Sequence, residues 1–129
     1  MFQINAILNP SALDDVLQGL QDEDIQGVTI SDVMGKGCLE STDSVLVEKK
    51  MIIVLVANNS YKEKAMEAIR ANAQDIEHGS GKMWITPVLE VERIRTGEKD
   101  YDALTLTSTK EVSYGVDIEA FNTIDTPAS

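Results

Sequence analysis

The sequence predicts an α+β fold of the ferredoxin-like type: a four-stranded antiparallel sheet with two helices on one face. Two observations support this prediction. Four segments have the patterning of strands, and two segments between them carry apolar residues at helical spacing. The resulting order is β-α-β-β-α-β, and right-handed crossovers in that order bring both helices to the same side of the sheet.

The four strands are predicted from their apolar residues. They cover residues 2–8, 25–35, 45–57 and 82–95. The first alternates between apolar and polar side chains, which is the period of a half-buried strand. The third contains a continuous apolar run at residues 51–57, which predicts burial on both faces of the sheet. Because the helices cover only one face, we expect several copies to associate through the other. In the fourth, Pro87 predicts a sheet edge or a bulge.

Two helices are predicted between these strands. The first covers residues 11–23, with Ser11 as its N-cap and apolar residues at i, i+3, i+4 and i+7. The second begins at a capping box formed by Ser60 and Glu63 and ends near Asp75.

The length of 129 residues fits one domain, predicted at residues 1–100, followed by a C-terminal extension at residues 101–129. Alternating residues at 104–106 and 112–118 predict a short β hairpin within the extension. From residue 121 onward the sequence has no periodicity, and we expect a mobile tail there.

Composition argues against several classes of protein. The chain has 22 acidic and 11 basic residues and a net charge of −11, so a basic face for nucleic acid is not expected. No segment approaches the roughly 20 apolar residues that span a bilayer, and the N-terminus does not resemble a signal peptide. With a single cysteine, Cys38, these features predict a cytoplasmic protein without membrane insertion. The single histidine, His78, lies far from Cys38 in sequence, and no catalytic residues are predicted.

Three short motifs place cations beside glycines or beside each other. In Gly79-Ser80-Gly81-Lys82 the glycines allow the main chain to approach a phosphate and the lysine adds a charge. Residues 35–37, Gly-Lys-Gly, repeat this pattern in a weaker form. Arg93 and Arg95 are expected on one side of the fourth strand, where two guanidinium groups suit one polyanion. Each motif alone also fits a plain tight turn or a solvated surface.

The distance along the fourth strand decides whether Lys82 and the two arginines can contact the same ligand. A strand of about ten residues spans roughly 33 Å. Lys82 and the two arginines are therefore not expected to meet on one phosphate within a single copy of the chain. We expect them to meet across a boundary between subunits.

Together the motifs resemble the PII family of signalling proteins, and the resemblance covers residues 1–100. Two earlier segments also resemble the corresponding segments of the family. They are Ile4-Asn5-Ala6-Ile7-Leu8-Asn9-Pro10 and Ile25-Gln26-Gly27-Val28-Thr29-Ile30. The resemblance implies a homotrimer that binds ATP, ADP or AMP in its inter-subunit clefts, with or without Mg²⁺, and has no other cofactor. It also implies signalling of energy, nitrogen or inorganic-carbon status to a partner such as a transporter or a metabolic enzyme.

The resemblance also implies which residues contact the nucleotide. Residues 27–29 match the segment beside the adenine and ribose, whereas the two glycine motifs match the segments that wrap the phosphates. The two arginines match residues that reach the site from the neighbouring subunit. The implied nucleotide-binding residues are Gly27, Val28, Thr29, Gly35, Lys36, Gly37, Cys38, Gly79, Ser80, Gly81, Lys82, Arg93 and Arg95.

The chain departs from the family pattern at several positions. Cys38 and Leu39 stand where nitrogen-sensing members carry an Arg-Gln pair, the following loop is shorter, and no tyrosine occurs between residues 30 and 60. Uridylylation and the usual 2-oxoglutarate site are therefore not expected, and 2-oxoglutarate, bicarbonate and a metal stay open as second ligands. Ser80 replaces the usual acidic residue of the glycine loop. With fewer phosphate ligands, ADP and AMP are expected to bind as well as ATP.

Two other functions fit the same trimeric plan. One is a divalent-metal-binding trimer of the cation-tolerance type, although one histidine, one cysteine and scattered carboxylates make a poor soft-metal site. The other is a purely structural trimer. Calorimetry with nucleotides and divalent cations separates these hypotheses.

Overall fold

The computed structural model describes residues 1–36, 46–74 and 79–104. Its elements are β1 (Phe2–Leu8), α1 (Leu13–Asp22), β2 (Val28–Gly35), β3 (Val47–Val56), α2 (Asn59–Asn72), β4 (Lys82–Pro87) and a short α3 (Tyr101–Leu104). The strands form one sheet in the order β2-β3-β1-β4, and every neighbouring pair is antiparallel. The predicted ferredoxin-like fold is confirmed. The described residues divide into two compact units, residues 2–87 and residues 88–104 with Met1.

The core lies between the two long helices and one face of the sheet. In β1 and β3 every second residue points into it, and the register pairs Ile4 with Val54 and Ala6 with Ile52. All four of these side chains are fully buried. The helices contribute Val16, Leu20, Ala65, Ala68 and Ile69. The alternation in the sequence therefore predicted the core face of the central strands.

The opposite face of the sheet is covered less completely. Met51, Ile53 and Leu55 are only partly buried there, so burial on both faces is not reached within one copy. Asn5 is buried on this face, where it accepts a 2.8 Å hydrogen bond from the Gln3 side chain. The predicted association through this face therefore stays a prediction, and a partly exposed apolar strip is available for it.

Both predicted helix starts are wrong by one or two residues. Ser11 is not an N-cap, because Pro10 begins a 3₁₀ turn that includes Ser11, and α1 follows at Leu13. A proline at the first helical position is already set for this turn. The capping box at Ser60 is also wrong: the Asn58 side chain accepts a 3.0 Å hydrogen bond from the backbone N–H of Tyr61. Asparagine is a strong N-cap residue, so the helix begins before the serine.

Strand ends also differ from the prediction. β2 begins at Val28 rather than at Ile25, since the backbone N–H of Ile25 bonds to the carbonyl of Leu20 at the end of α1. β4 ends at Pro87 instead of residue 95, at the edge of the sheet that the proline predicted. Leu104 was predicted to begin a strand and instead ends α3. The rest of the predicted hairpin, residues 105–118, and the tail lie outside the described residues. The proposed boundary at residue 100 stays a prediction.

Candidate functional site

Antiparallel pairing brings four strand ends together. The C-terminal ends of β1 and β2 lie beside the N-terminal ends of β3 and β4, because neighbouring strands run in opposite directions. Gly35 ends β2 and Lys36 follows it, whereas residues 79–81 lead into β4 at Lys82, so both predicted phosphate segments lie here. We call this the glycine end of the sheet. The two segments occupy opposite edges, three strand spacings or about 14 Å apart.

The glycine loop at residues 79–82 has a backbone that requires glycine at one position. Gly79 and Gly81 have φ angles of 77° and 93°, in the left-handed region. A Cβ atom on Gly81 would lie 1.8 Å from the carbonyl oxygen of Ile7 in β1. Left-handed residues in a loop can turn neighbouring N–H groups in directions that suit an anion. Lys82 is exposed and pairs with Ile7 as the first residue of β4.

Asn9 anchors this loop to the sheet. Its Nδ2 atom donates a 2.8 Å hydrogen bond to the carbonyl of Gly79, and its Oδ1 atom accepts one from Lys49. Asn9 is only 6% exposed, so both partners are held at a buried amide. The sequence identified Asn9 only as the end of a strand. Its contact with Gly79 spans 70 residues, and no local pattern predicts it.

Lysines concentrate at the glycine end. Four of the chain's 11 basic residues lie there, namely Lys36, Lys49, Lys50 and Lys82. Lys50 pairs with Asp32 across β3 and β2, and this hydrogen bond raises the pKa of Lys50 above its ordinary value. Lys36 and Lys82 are exposed. Among the described residues of this end, these four lysines outnumber the carboxylates of Asp32 and Glu48.

The residues predicted to lie beside the adenine and ribose are at the opposite end of the sheet in the same unit. Gly27, Val28 and Thr29 are at the start of β2, whereas Gly35 is at its end. Eight residues of antiparallel strand span about 27 Å. Val28 packs against the core, and Thr29 is exposed. The structure thus brings residues 35–36 and 79–82 to one end of the sheet and places residues 27–29 at the other. Gly37 and Cys38 lie outside the described residues.

The two arginines do not lie on a strand, contrary to the prediction. Residues 94–96 form a turn in the second unit, and Arg95 is exposed within it. The Arg93 Nε atom instead lies 3.1 Å from Oε1 of Glu98. The estimate of strand length between Lys82 and the arginines therefore fails, because β4 stops at Pro87.

Neither a cluster of metal ligands nor a membrane-spanning helix is found among the described residues. In residues 1–36, 46–74 and 79–104, no three of the histidine, cysteine, aspartate and glutamate side chains are grouped as metal ligands. His78 and Cys38 are outside these ranges. Among the helices in the part of the chain that the structure describes, none is long and apolar enough to cross a membrane.

Comparison with known proteins gives the family. A family model described as Nitrogen regulatory protein P-II matches residues 1–98. The chain belongs to the P-II family. A P-II protein of Azospirillum brasilense is 38% identical over 112 residues, covering 81% of this chain and 100% of the relative. A P-II protein of Methanothermobacter thermautotrophicus is 34% identical over 118 residues, covering 81% of this chain and 97% of the relative.

A solved P-II structure agrees with the fold described above. It is that of Arabidopsis thaliana PII bound to citrate, which superposes with a TM-score of 0.72 at 31% sequence identity. The match covers 83% of this chain and 92% of the plant protein. The resemblance seen in the sequence is therefore confirmed, and with it membership of a family of regulatory signalling proteins. The matched family segment ends at residue 98, two residues after the turn at residues 94–96.

Proposed function

We propose that this P-II protein is a cytoplasmic homotrimer that binds ATP, ADP or AMP in clefts between its subunits. Nucleotide binding there signals energy, nitrogen or inorganic-carbon status to a partner, such as a transporter or a metabolic enzyme. The protein acts by binding and carries out no catalytic step.

The distance along β2 between residues 27–29 and residues 35–36 is the main support for this proposal. The nearest members of the two groups, Thr29 and Gly35, are six residues or about 20 Å apart along β2, which is longer than an extended ATP molecule. One nucleotide cannot contact both groups within one copy. If both groups bind the same ligand, two copies must contribute. We assign the glycine end to one copy and residues 27–29 to its neighbour. The family resemblance also assigns Arg93 and Arg95 to a neighbouring copy.

The second face of the sheet supports association. Met51, Ile53 and Leu55 lie on it in the central strand and keep part of their surface exposed. Burying apolar area contributes about 25 cal/mol per Å². Packing this strip against other copies therefore favours an oligomer, and closed cyclic symmetry gives each copy equivalent neighbours.

Local charge explains how an acidic protein binds a polyanion. The net charge is −11, but screening over a Debye length of about 8 Å limits the effect of distant carboxylates. Lys36 and Lys82 are exposed at the glycine end, and Lys82 directly follows the left-handed Gly81. Phosphate groups are therefore assigned to this end. The nucleotide alters the adjoining surface that a partner recognises, provided that the partner binds the two forms with different affinities.

The proposal is tested by calorimetry and light scattering. We expect the wild-type trimer to bind ATP, and the double variant Arg93→Ala/Arg95→Ala to lose binding while staying trimeric. Arg70→Ala is the control, because Arg70 is an exposed arginine of α2 that pairs only with the nearby Glu67 among the described ion pairs. Unchanged ATP affinity in the double variant would contradict the proposed site. Binding of a divalent cation in the absence of any nucleotide affinity would instead favour the metal-binding alternative.

A further inference from the structure

The strand β2 forms one edge of the sheet, and among the described residues no strand pairs with its outer side. It runs for eight residues without a proline, and its register with β3 is continuous from end to end, without a bulge. The opposite edge strand, β4, has six residues and ends in a proline. Natural sheets protect a long edge with prolines, bulges or charged side chains. The edge of β2 has neither of the first two protections.

One face of β2 presents two apolar side chains that the rest of the unit leaves partly uncovered. Val28 packs against the core, and Ile30, Asp32 and Met34 lie on the same face because side chains alternate along a strand. The helix α2 packs against β1 and β3. Ile30 and Met34 are 43% and 60% exposed. The outer strand therefore carries an apolar, an acidic and a second apolar side chain at alternate positions.

The charge of Asp32 is directed to both sides of β2. Its carboxylate pairs with Lys50 on β3, yet its side chain is 69% exposed, whereas that of Lys50 is 25% exposed. A cation on a strand added at the outer edge would lie opposite Asp32 on the side away from Lys50. Opposite charges that face each other across two strands stabilise the pair, and like charges destabilise it. The net charge of −11 also favours a basic segment over an acidic one.

A second copy of β2 fits this edge poorly. Two copies related by a two-fold axis place the same face on the same side. The register that sets Ile30 opposite Met34 then sets Asp32 opposite its own copy, which is destabilising. Shifting that register by two residues places Asp32 opposite Ile30 or Met34 instead, so an apolar contact is lost. The pattern of β2 is complementary to a different sequence, not to itself.

We propose that residues 30–34 of β2 bind an extended segment of the partner protein by strand pairing, and that this segment carries a lysine or arginine between two apolar residues at alternate positions. Main-chain hydrogen bonds along the edge supply affinity, and the alternate side chains supply selectivity. The basic residue lies opposite Asp32, and the apolar residues lie opposite Ile30 and Met34. As a signalling surface this inference rests on the proposed function, because β2 joins residues 27–29 to Gly35, which are both assigned to nucleotide.

Peptide titration of the full-length, nucleotide-free protein tests the docking itself. The probe is the capped peptide Thr-Ile-Thr-Lys-Thr-Ile-Thr, whose pattern reads the same in both strand directions. The control peptide has glutamate in place of lysine. We expect the lysine peptide to bind about fivefold more tightly in calorimetry, since it replaces a repulsive cross-strand pair with an attractive one. Equal affinities, or no binding of the lysine peptide, would overturn the proposal.

Two variants of the protein locate the charge that the peptide contacts. Asp32→Asn should remove the preference for the lysine peptide. Glu48→Gln is the matched control, because Glu48 is an exposed carboxylate opposite Met34 on β3, one strand further from the edge. It should keep the fivefold preference. A preference that persists in Asp32→Asn, or that disappears in Glu48→Gln, would overturn the assignment to the edge of β2.

Amide hydrogen exchange distinguishes strand pairing from loose electrostatic attraction. Along an antiparallel edge strand, every second N–H bonds to the inner neighbour and those between point outward. At saturation the lysine peptide should slow exchange about tenfold at the outward amides of residues 30–34 and leave the alternate ones unchanged. Binding without this alternation would overturn strand pairing. A protein that binds ATP but not the peptide overturns the docking alone, whereas one that binds the peptide but no adenine nucleotide overturns the proposed function and the signalling role that rests on it.

Discussion

Replacement of Gly81 by alanine should damage the glycine loop and the sheet at once. Gly81 has a φ of 93°, and its added Cβ would lie 1.8 Å from the Ile7 carbonyl oxygen. The left-handed backbone costs a residue with a side chain roughly 1–2 kcal/mol. The close approach must also displace β4 from β1 near the pair of Ile7 and Lys82, at about 1 kcal/mol for each hydrogen bond lost. We expect Gly81→Ala to lower the free energy of unfolding by about 2–4 kcal/mol.

Two other glycines separate the backbone strain from the clash. Gly97 has a φ of 76°, but a Cβ there meets no atom within 4 Å, so Gly97→Ala should cost only the backbone term of roughly 1–2 kcal/mol. Gly27 is also open, and it is not among the glycines with positive φ. Gly27→Ala should therefore change stability by less than about 0.5 kcal/mol.

Urea unfolding at a fixed protein concentration measures all three variants. The concentration must be fixed because the stability of an oligomer depends on it. The expected order of destabilisation is Gly81→Ala, then Gly97→Ala, then Gly27→Ala. A Gly81→Ala protein as stable as Gly27→Ala would refute the packing described for the loop against β1.

Two further predictions concern the glycine end. Asn9→Ala should lower the free energy of unfolding by about 1–3 kcal/mol, because the Gly79 carbonyl and Lys49 each lose a buried hydrogen-bond partner. The same change should weaken ATP binding. Urea unfolding measures the first effect and calorimetry the second. Asp32→Asn should lower the pKa of Lys50 towards its ordinary value of 10.5, which NMR titration of the lysine side chain measures. Since Asp32 raises this pKa, its contribution to stability is present below pH 10.5 and is lost as the pH rises through the pKa of the folded state. An unchanged Lys50 titration in Asp32→Asn would contradict the cross-strand pair.

The sequence predicted the parts of the fold that depend on local periodicity. Alternation in β1 and the apolar run of β3 gave the central strands, and Pro87 gave the edge position of β4. Element ends were less accurate because neighbouring residues compete for one role. Asn58 and Ser60 are both good N-caps, and the structure uses the earlier one.

The site was predicted less completely, because its geometry depends on contacts distant in sequence. Asn9 has its role only through Gly79, on a loop that precedes another strand. The spacing of Arg93 and Arg95 also fits a strand, and that interpretation was wrong. The Gly97 that follows them has a left-handed backbone, and its position after Thr96 was the available turn signal.

Subunit complementation tests most directly whether two copies build one nucleotide site. Lys82→Ala and Arg95→Ala each remove one side of the proposed cleft, so neither variant alone should bind ATP at wild-type affinity. In trimers reassembled from equal amounts of both, about a quarter of the clefts would combine an intact Lys82 with an intact Arg95 from the next copy. Calorimetry should then find wild-type affinity at about a quarter of the wild-type stoichiometry. Mixed trimers that regain no high-affinity site, although mass spectrometry shows that subunits have exchanged, would contradict a site shared between copies.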